Sequence, residues 1–316
     1  MHSPGRRLLP LLVSLFLVSA AHAETLNVLF IGNSYTARHN LSEVVKSMAE
    51  AGNPGLIMNV STVIYGGRRL VAHWRYHTQN YVRIQSLTRE QEEASIRDLE
   101  SIIKAEPDNK YAKGALSKHK GLVGNIDKER RKWDIVVLQS YRDDLEGDDS
   151  LYAQYAPKFA EEIHKIGAKV VLYETTPNTQ NAKPLKESPD KEPILEKAKS
   201  IARLADKVDA VVAPMSLAAW HCQNERPDLT LRFINDAHLN QTLAYMTACS
   251  IYAAIFEKSP VGLPIDSVTD IRYFENKHKD KDRDGNPIKK VFSKKDQKDL
   301  QRLAWKAHQE FKSLRK

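Results

Sequence analysis

Residues 26–36 read LNVLFIGNSYT, and this stretch carries the clearest indication of the fold. Its first part, Leu26–Ile31, is a short apolar and β-rich run that ends at Gly32, a pattern that predicts a buried strand. Helical spacing of apolar residues follows in Ser42–Ala51. The stretch therefore predicts a strand that turns into a helix, with polar residues at the turn.

Short apolar runs and helical patterns continue to alternate along the chain. Further strands are predicted at Leu56–Ile64, Asp134–Leu138, Lys169–Tyr173 and Ala210–Val212. Further helices are predicted at Leu151–Ile166, Pro193–Leu204 and Gln241–Phe256. This alternation predicts an α/β domain with a central parallel sheet and helices on both faces. Ligands of such sheets bind at the carboxyl ends of the strands, so the residues that follow each strand are the candidate site.

The composition is that of an ordinary globular protein. Of 316 residues, 41% are hydrophobic and 28% are charged, which argues against disorder and against a membrane bundle. The formal net charge of +8 is interspersed along the chain, so it permits an acidic partner without requiring one. Cys222 and Cys249 could form a disulfide in an oxidising compartment, but Cys249 falls in a predicted core helix, which favours buried thiols.

The first 23 residues have the three parts of a secretory signal peptide. Arg6 and Arg7 supply the positive region, Leu8–Val18 the apolar core, and Ala21–Ala23 the cleavage site. We expect cleavage after this site and export to the periplasm or the medium. Residues 24–316 would then form a single domain, with no membrane insertion after removal of the signal peptide.

Two segments interrupt the alternation of strands and helices. The first, at about 82–131, is a charged insertion with an amphipathic helix predicted at Thr88–Ala105. A solvated helical insertion is the favoured interpretation, and a lid over the open end of the sheet is the alternative. The second, 275–295, is polar and lysine-rich and predicts a surface loop, after which about 294–316 predicts a helix that packs back on the domain.

Polar residues that could take part in catalysis follow several of the predicted elements. Ser34 stands at the turn after the first strand, which resembles a nucleophile elbow, although Thr36 replaces the second glycine of its G-x-S-x-G pattern. Gly66–Gly67 follow the second strand and can turn backbone N–H groups towards an oxyanion, and Gln139 follows the third with an amide donor. Asp236 lies close enough to His238 to orient it as a general base. Taken singly, each also fits a structural role as a cap, a turn or a surface group.

Five segments, in order along the chain, resemble the sequence blocks of SGNH (GDSL-like) hydrolases. The resemblance is to an exported branch whose first block reads Gly-Asn-Ser. The segments are LFIGNSYT (29–36), GGRRLVAHW (66–74), WDIVVLQS (133–140), APMSLAAW (213–220, a strand and turn in that branch) and NDAHLNQTLAYMTACSIYAAIFEKSPVGLP (235–264). They leave the insertion and the C-terminal tail outside the resemblance.

The resemblance implies a flavodoxin-like three-layer α/β/α domain and a serine ester hydrolase that needs no cofactor and no metal. Ser34 would be the nucleophile, held in its turn by Asn33, and His238 would be the general base and acid. The oxyanion would be bound by the backbone N–H groups of Ser34 and Gly67 and by the side chain of Gln139.

One position departs from the family pattern. The family places an aspartate three residues before the histidine, where this chain has Asn235. Asp236, two residues before His238, is therefore the predicted third member of the triad. The alternative is that Asn235 orients the histidine in a weaker site.

The substrate is left open by the resemblance, because the family cleaves many carboxylic esters. Export and a basic chain favour a short-chain or carbohydrate O-acetyl ester, with Trp74, Tyr76 and Trp220 as candidate sugar platforms. One alternative is a weak or inactive protein on the same fold that binds carbohydrate, and another is a thioesterase or lysophospholipase. No nucleic-acid partner is expected.

Two patterns that resemble metal sites are discounted. Asp280–Gly285 matches the start of a calcium loop, but the twelfth position is Val291 rather than glutamate. His73 and His77 stand four residues apart without the glutamate of a metalloprotease helix. No metal site is therefore expected.

Overall fold

The computed structural model describes residues 24–139, 141, 147–176, 180–271 and 280–315, so the expected signal peptide lies outside the described residues. The strands are β1 (Glu24–Gly32), β2 (Leu56–Ile64), β3 (Ile135–Gln139), β4 (Lys169–Tyr173), β5 (Ala210–Ala213), β6 (Ser267–Thr269) and β7 (Lys289–Val291). The helices are α1 (Ser34–Ala37), α2 (Leu41–Gly52), α3 (Leu70–Arg75), α4 (Gln79–Val82), α5 (Arg89–Ala105), α6 (Lys110–Glu129), α7 (Leu151–Lys165), α8 (Glu192–Lys207), α9 (Met215–Glu225), α10 (Gln241–Phe256) and α11 (Lys294–Leu314). None of these helices is both long enough and apolar enough to cross a membrane.

The centre of the fold is a five-stranded parallel sheet with the order β2-β1-β3-β4-β5. The predicted α/β class, with a central parallel sheet flanked by helices in three layers, is confirmed. The central strand β3 is buried along its whole length, which explains its uninterrupted apolar sequence. Gly32 of β1 pairs with Ile64 of β2, and Ile31 pairs with Leu138 of β3. This register brings the carboxyl ends of three strands to one edge.

Helices cover the sheet through their apolar sides. α2 packs against α10, and α10 in turn packs against α11, which is the predicted C-terminal helix returning to the domain. α3 and α7 form a second contact. Every residue of α10 from Gln241 to Ala254 is buried, so this helix forms part of the core rather than a boundary.

The insertion contains two helices, of which the sequence predicted only the first. α5 begins after Thr88, whose side chain forms a capping box with Gln91. The sequence pattern did not predict α6, because three glycines and several lysines weaken its helical pattern. It is stabilised by packing on α5, and Leu99 of α5 and Ala112 and Leu122 of α6 are buried.

Two other predictions need correction. Segment 213–220 was expected to be a strand and a turn, but β5 ends at Ala213 and α9 begins at Met215. α9 is buried on nearly all sides and therefore lacks the one-sided apolar pattern of a surface helix. Segment 275–295 was expected to be a surface loop; its described part contains a bridge between Lys281 and Pro287, and β7 pairs antiparallel with β6.

Candidate active site

The turn after β1 is fixed by Asn33, which caps α1. Its side chain accepts a hydrogen bond from the Tyr35 N–H (3.0 Å), and its own N–H donates to Oε1 of Gln139 (2.8 Å). Its amide nitrogen donates to the carbonyl of Arg68 (3.1 Å) in the loop after β2. Asn33 therefore joins the ends of three neighbouring strands and fixes the backbone that carries Ser34.

Close packing around this turn explains two residues of the first block. A Cβ atom at Gly32 would lie 2.4 Å from Oγ1 of Thr36 and 2.7 Å from Oε1 of Gln139, so only glycine fits there. Thr36 occupies the position where a nucleophile elbow has its second glycine. Its hydroxyl donates to Oε1 of Gln139 (3.1 Å), which helps to hold the turn against β3.

Ser34, His238 and Asp236 form a continuous chain of contacts. The Ser34 hydroxyl donates to Nε2 of His238 over 2.7 Å. Oδ1 of Asp236 accepts from Nδ1 of the same ring in a short contact, and also accepts the His238 backbone N–H (3.0 Å). With the ring proton on Nδ1, Nε2 is free to receive the serine proton. Asn235, the alternative partner, is exposed to solvent.

Tyr35 braces the loop that carries the histidine. Its hydroxyl donates to the carbonyl of Ala237 (3.0 Å), and its ring lies 5.6 Å from the His238 ring between centroids. A bridge between Arg232 and Leu239 closes the base of the loop. The histidine is therefore held by backbone, ring and carboxylate contacts together.

Two arginines that no sequence pattern connects with the site contact Asp236. Nη2 of Arg38 lies 3.1 Å and Nη1 of Arg283 lies 2.8 Å from Oδ2 of this aspartate. Burial alone would raise the pKa of Asp236, but hydrogen bonds from His238 and the charge of Arg38 hold it well below its ordinary range. The carboxylate is therefore ionised throughout the pH range in which the protein would work. No sequence signal links Arg283 to a loop some fifty residues away.

The expected oxyanion donors differ in their surroundings. Gly67 has φ +66°, a left-handed conformation that favours glycine, and it lines the cleft with Ser34. In the described part of the chain, the N–H groups of Ser34 and Gly67 donate to no protein acceptor. Gln139 is buried outside the cleft lining, and its amide oxygen is held by the Asn33 turn.

His73 supports the site from behind. Its Nε2–H donates to the carbonyl of Gly32 (3.0 Å), and its Nδ1 accepts from the Thr78 hydroxyl (3.1 Å). Burial lowers the pKa of His73 to about 3, so the ring is neutral. His77 instead contacts Asp98 at 2.8 Å. The two histidines thus have separate partners.

A cleft of about 1070 Å³ opens over Ser34 and His238. Lys110, Tyr111 and Gly114 at the start of α6 line it, so the insertion forms part of the cleft wall rather than only a solvated face. The guanidinium of Arg68 lies 4.1 Å from the centre of the Tyr111 ring, which joins this wall to the loop after β2.

The three candidate sugar platforms lie elsewhere. Trp74 packs edge-on against Phe159, the Tyr76 hydroxyl contacts Asn109, and the indole N–H of Trp220 donates to a backbone carbonyl. None of the three is among the described residues that line the cleft. These aromatic residues therefore have packing roles in this structure.

The discounted metal pattern and the cysteines have structural roles. Oδ1 of Asp282 accepts the N–H groups of Asp284 and Asn286, and the carboxylate of Asp284 accepts the Ile234 N–H. Among the described residues, no group of three or more His, Cys, Asp or Glu could hold a metal ion. Both cysteines, Cys222 and Cys249, are buried and unbonded.

Comparisons with known proteins support the fold. No protein-family model matches the chain, and no curated protein matches it in sequence. The structure of a DUF4886 family protein from Bacteroides uniformis ATCC 8492 is 17% identical, with a TM-score of 0.50 over 90% of this chain and 95% of that protein.

Two further solved structures are similar to smaller parts of the chain. A "putative SGNH hydrolase" from Slackia heliotrinireducens is 17% identical, with a TM-score of 0.45 over 73% of this chain and 100% of that one. A gut microbial diltiazem-metabolizing enzyme is 14% identical, with a TM-score of 0.36 over 74% of this chain and 47% of that one. At these identities the similarity concerns the fold alone, and the three-layer α/β architecture is what this chain has in common with the Bacteroides uniformis protein.

Proposed function

We propose that this chain is an exported serine hydrolase that cleaves carboxylic esters. The observation that carries the proposal is the contact chain from the Ser34 hydroxyl through His238 to Asp236, with 2.7 Å between Oγ and Nε2. A serine activated by an oriented imidazole at the carboxyl edge of a parallel sheet is the arrangement that acyl transfer requires. Export is inferred from the N-terminal 23 residues.

Acylation begins when Oγ of Ser34 attacks the ester carbonyl carbon. Nε2 of His238 takes the hydroxyl proton, and the carbonyl π electrons move to the oxygen. The backbone N–H groups of Ser34 and Gly67 donate to this oxyanion, with the amide nitrogen of Gln139 as the proposed third donor. Collapse breaks the bond to the alkoxide, which leaves as an alcohol with the proton from Nε2.

Deacylation repeats the sequence with water as the nucleophile. His238 takes a proton from water, and the resulting hydroxide attacks the acyl carbon of the Ser34 ester. Collapse of the second tetrahedral intermediate releases a carboxylic acid and returns the proton to Oγ. Asp236 stabilises the imidazolium in both steps and stays ionised.

We propose short-chain or carbohydrate O-acetyl esters as the substrates. Ala37 and Ile64 are the aliphatic side chains among the described residues that line the cleft. Glycines, tyrosines and charged residues supply most of the remaining wall. With only these two aliphatic side chains, the described wall forms no aliphatic channel for a long acyl chain, which favours an esterase over a lysophospholipase.

The test is hydrolysis of p-nitrophenyl acetate by protein that begins at Glu24. We expect S34A and H238A each to lower kcat/KM by about 10³-fold or more, because the three residues of the proposed triad act together and each variant removes one of them. Ser47→Ala is the matched control, since Ser47 is an exposed helical serine that contacts only backbone. A p-nitrophenyl series from acetate to octanoate should show activity falling with chain length.

A serine-reactive phosphonate provides an independent readout of the same proposal. Wild-type protein should be labelled at Ser34, and S34A should not. The proposal would be wrong if folded wild-type protein were neither labelled nor more active than S34A.

A further inference from the structure

Three of the described residues that line the cleft over Ser34 are arginine or lysine, and none of the described lining residues carries a carboxylate. Arg38, Lys110 and Arg283 all contribute to its wall. They come from three separate parts of the chain: the turn after α1, the start of α6 in the insertion, and the loop before β7. Positive charge is therefore a property of the assembled cleft rather than of one basic segment.

Two carboxylates balance these three cations only in part. Asp236 is shared by both arginines through the same oxygen, Oδ2. Lys110 is exposed and has no ion pair with any described residue. The buried carboxylate of Asp270 also attracts Arg38. Among the described residues, three cations thus face two carboxylates, which leaves an excess of positive charge at the mouth of the cleft.

Arg283 also presents a donor beyond the one that contacts Asp236. Its Nη1 contacts the aspartate, while its Nη2 makes no hydrogen bond within the described residues. The side chain is 23% exposed and lines the cleft, whereas that of Arg38 is 9% exposed and acts mainly through its charge. A guanidinium with one terminal nitrogen fixed and the other available is suited to an oxyanion of carboxylate, sulfate or phosphate type.

We infer that the preferred substrate carries an anionic group, a carboxylate, sulfate or phosphate, on the alcohol part of the ester. The inference rests on the proposed ester hydrolase function and specifies its substrate class. An acetyl group fills only a small fraction of a cleft of about 1070 Å³, so the alcohol part occupies the region beside Lys110 and Arg283. An anionic alcohol would be attracted there, and a neutral one would gain nothing from the charges.

The experiment compares two acetyl esters that differ in charge, 4-acetoxybenzoate and 4-acetoxybenzamide. Each kcat/KM is divided by the rate constant of the same ester with hydroxide, which removes the difference in intrinsic reactivity. We expect the normalised value to be about tenfold higher for the anionic ester, mainly through KM, and the preference to shrink as salt rises to 0.5 M.

Lys110→Met provides the residue-level test because it keeps the length of the side chain and removes its charge. We expect the preference for the anionic ester to fall about threefold, the size of a solvent-exposed ion pair. Lys113→Met is the matched control: Lys113 is exposed on the same helix but does not line the cleft, so the preference should stay within experimental error.

The outcomes separate this inference from the function on which it rests. Equal normalised rates for the two esters, or equal losses in K110M and K113M, would overturn the anionic substrate class and leave the esterase proposal standing. Hydrolysis of p-nitrophenyl acetate but of neither acetoxy ester would overturn the anionic substrate class alone, and hydrolysis of none of the three esters by folded wild-type protein would overturn both.

Discussion

Asp236→Asn tests the most unusual part of the site, because this aspartate acts only as an acceptor on both oxygens. Oδ1 accepts the backbone N–H of His238 (3.0 Å) and its ring Nδ1–H. Oδ2 faces Nη2 of Arg38 at 3.1 Å and Nη1 of Arg283 at 2.8 Å. An asparagine has the same shape, but its NH2 group must point at donors in either orientation.

Each orientation of the asparagine damages the site in its own way. If the NH2 group faces the arginines, two guanidinium groups lose their carboxylate and meet a donor. If it faces the ring, Nδ1 must become an acceptor, which moves the ring proton to Nε2 and blocks proton transfer from Ser34. In serine proteases with a comparable triad, the aspartate-to-asparagine change lowers kcat by about 10⁴-fold. We expect about 10³- to 10⁴-fold here, or about 4 to 5.5 kcal/mol in the barrier.

The assay is kcat/KM for p-nitrophenyl acetate from pH 5 to 9, with circular dichroism to confirm that the variants fold. Asn235→Ala is the matched control, since Asn235 is the exposed neighbour that the family spacing favours as the orienting residue. We expect N235A to stay within about threefold of wild type. A loss below tenfold in D236N combined with a large loss in N235A would refute the reasoning and make Asn235 the orienting residue.

Three further predictions concern the residues around this centre. Gly67→Ala should lower activity about 100-fold, because the φ of +66° at this position strains an alanine and displaces the backbone N–H. Gly66→Ala is the control and should stay near wild-type activity, since a Cβ there meets no atom and Gly66 has no positive φ. Equal effects of the two substitutions would contradict the assignment of Gly67 to the oxyanion hole. Gln139→Glu keeps an oxygen on the Asn33 N–H but removes the amide donor, so retention of wild-type kcat would exclude Gln139 from the oxyanion hole. Burial holds the pKa of His73 at about 3 in the folded protein, against about 6.5 in the unfolded chain. Below pH 6.5 the unfolded chain binds a proton that the folded protein does not, so the free energy of unfolding decreases as the pH falls, by about 3 kcal/mol at pH 4.5. Melting temperatures at pH 7 and 4.5 should therefore differ less in His73→Gln than in wild type, and an equal difference would contradict this account.

The fold was predictable because its signals are local. Leu56–Ile64, Lys169–Tyr173 and Gln241–Phe256 have the same bounds in the sequence prediction and in the structure. Each segment is an apolar run whose first and last residues are evident in the sequence. The hydrophobic pattern of such a strand or core helix does not depend on residues distant in the chain. The parallel topology then brings the residues after β1, β2 and β3 to one edge, so the ends of the predicted strands were enough to select Ser34, Gly67 and Gln139 as candidates.

Contacts between segments that are distant in the chain could not be predicted from a single sequence. Arg38 and Arg283 are ordinary basic residues in a chain with 48 lysines and arginines, and only the folded structure distinguishes them from the rest. The same holds for α6, whose glycine-containing pattern is helical because α5 covers its apolar side. Its contribution to the cleft wall, through Lys110 and Tyr111, follows from that packing.

The departure from the family spacing has a local explanation in the structure. Because Oδ1 of Asp236 accepts the N–H of the residue two positions later, the loop forms an Asx turn that curls the carboxylate back towards its own histidine. The same oxygen then reaches Nδ1 of His238, so a separation of two residues suffices here, whereas the hydrolases that the sequence resembles use three. An Asx turn alone would accept an asparagine equally well. The ion pairs with Arg38 and Arg283 on the other oxygen require a carboxylate, and they are the feature that makes aspartate, rather than any short polar residue, necessary at this position.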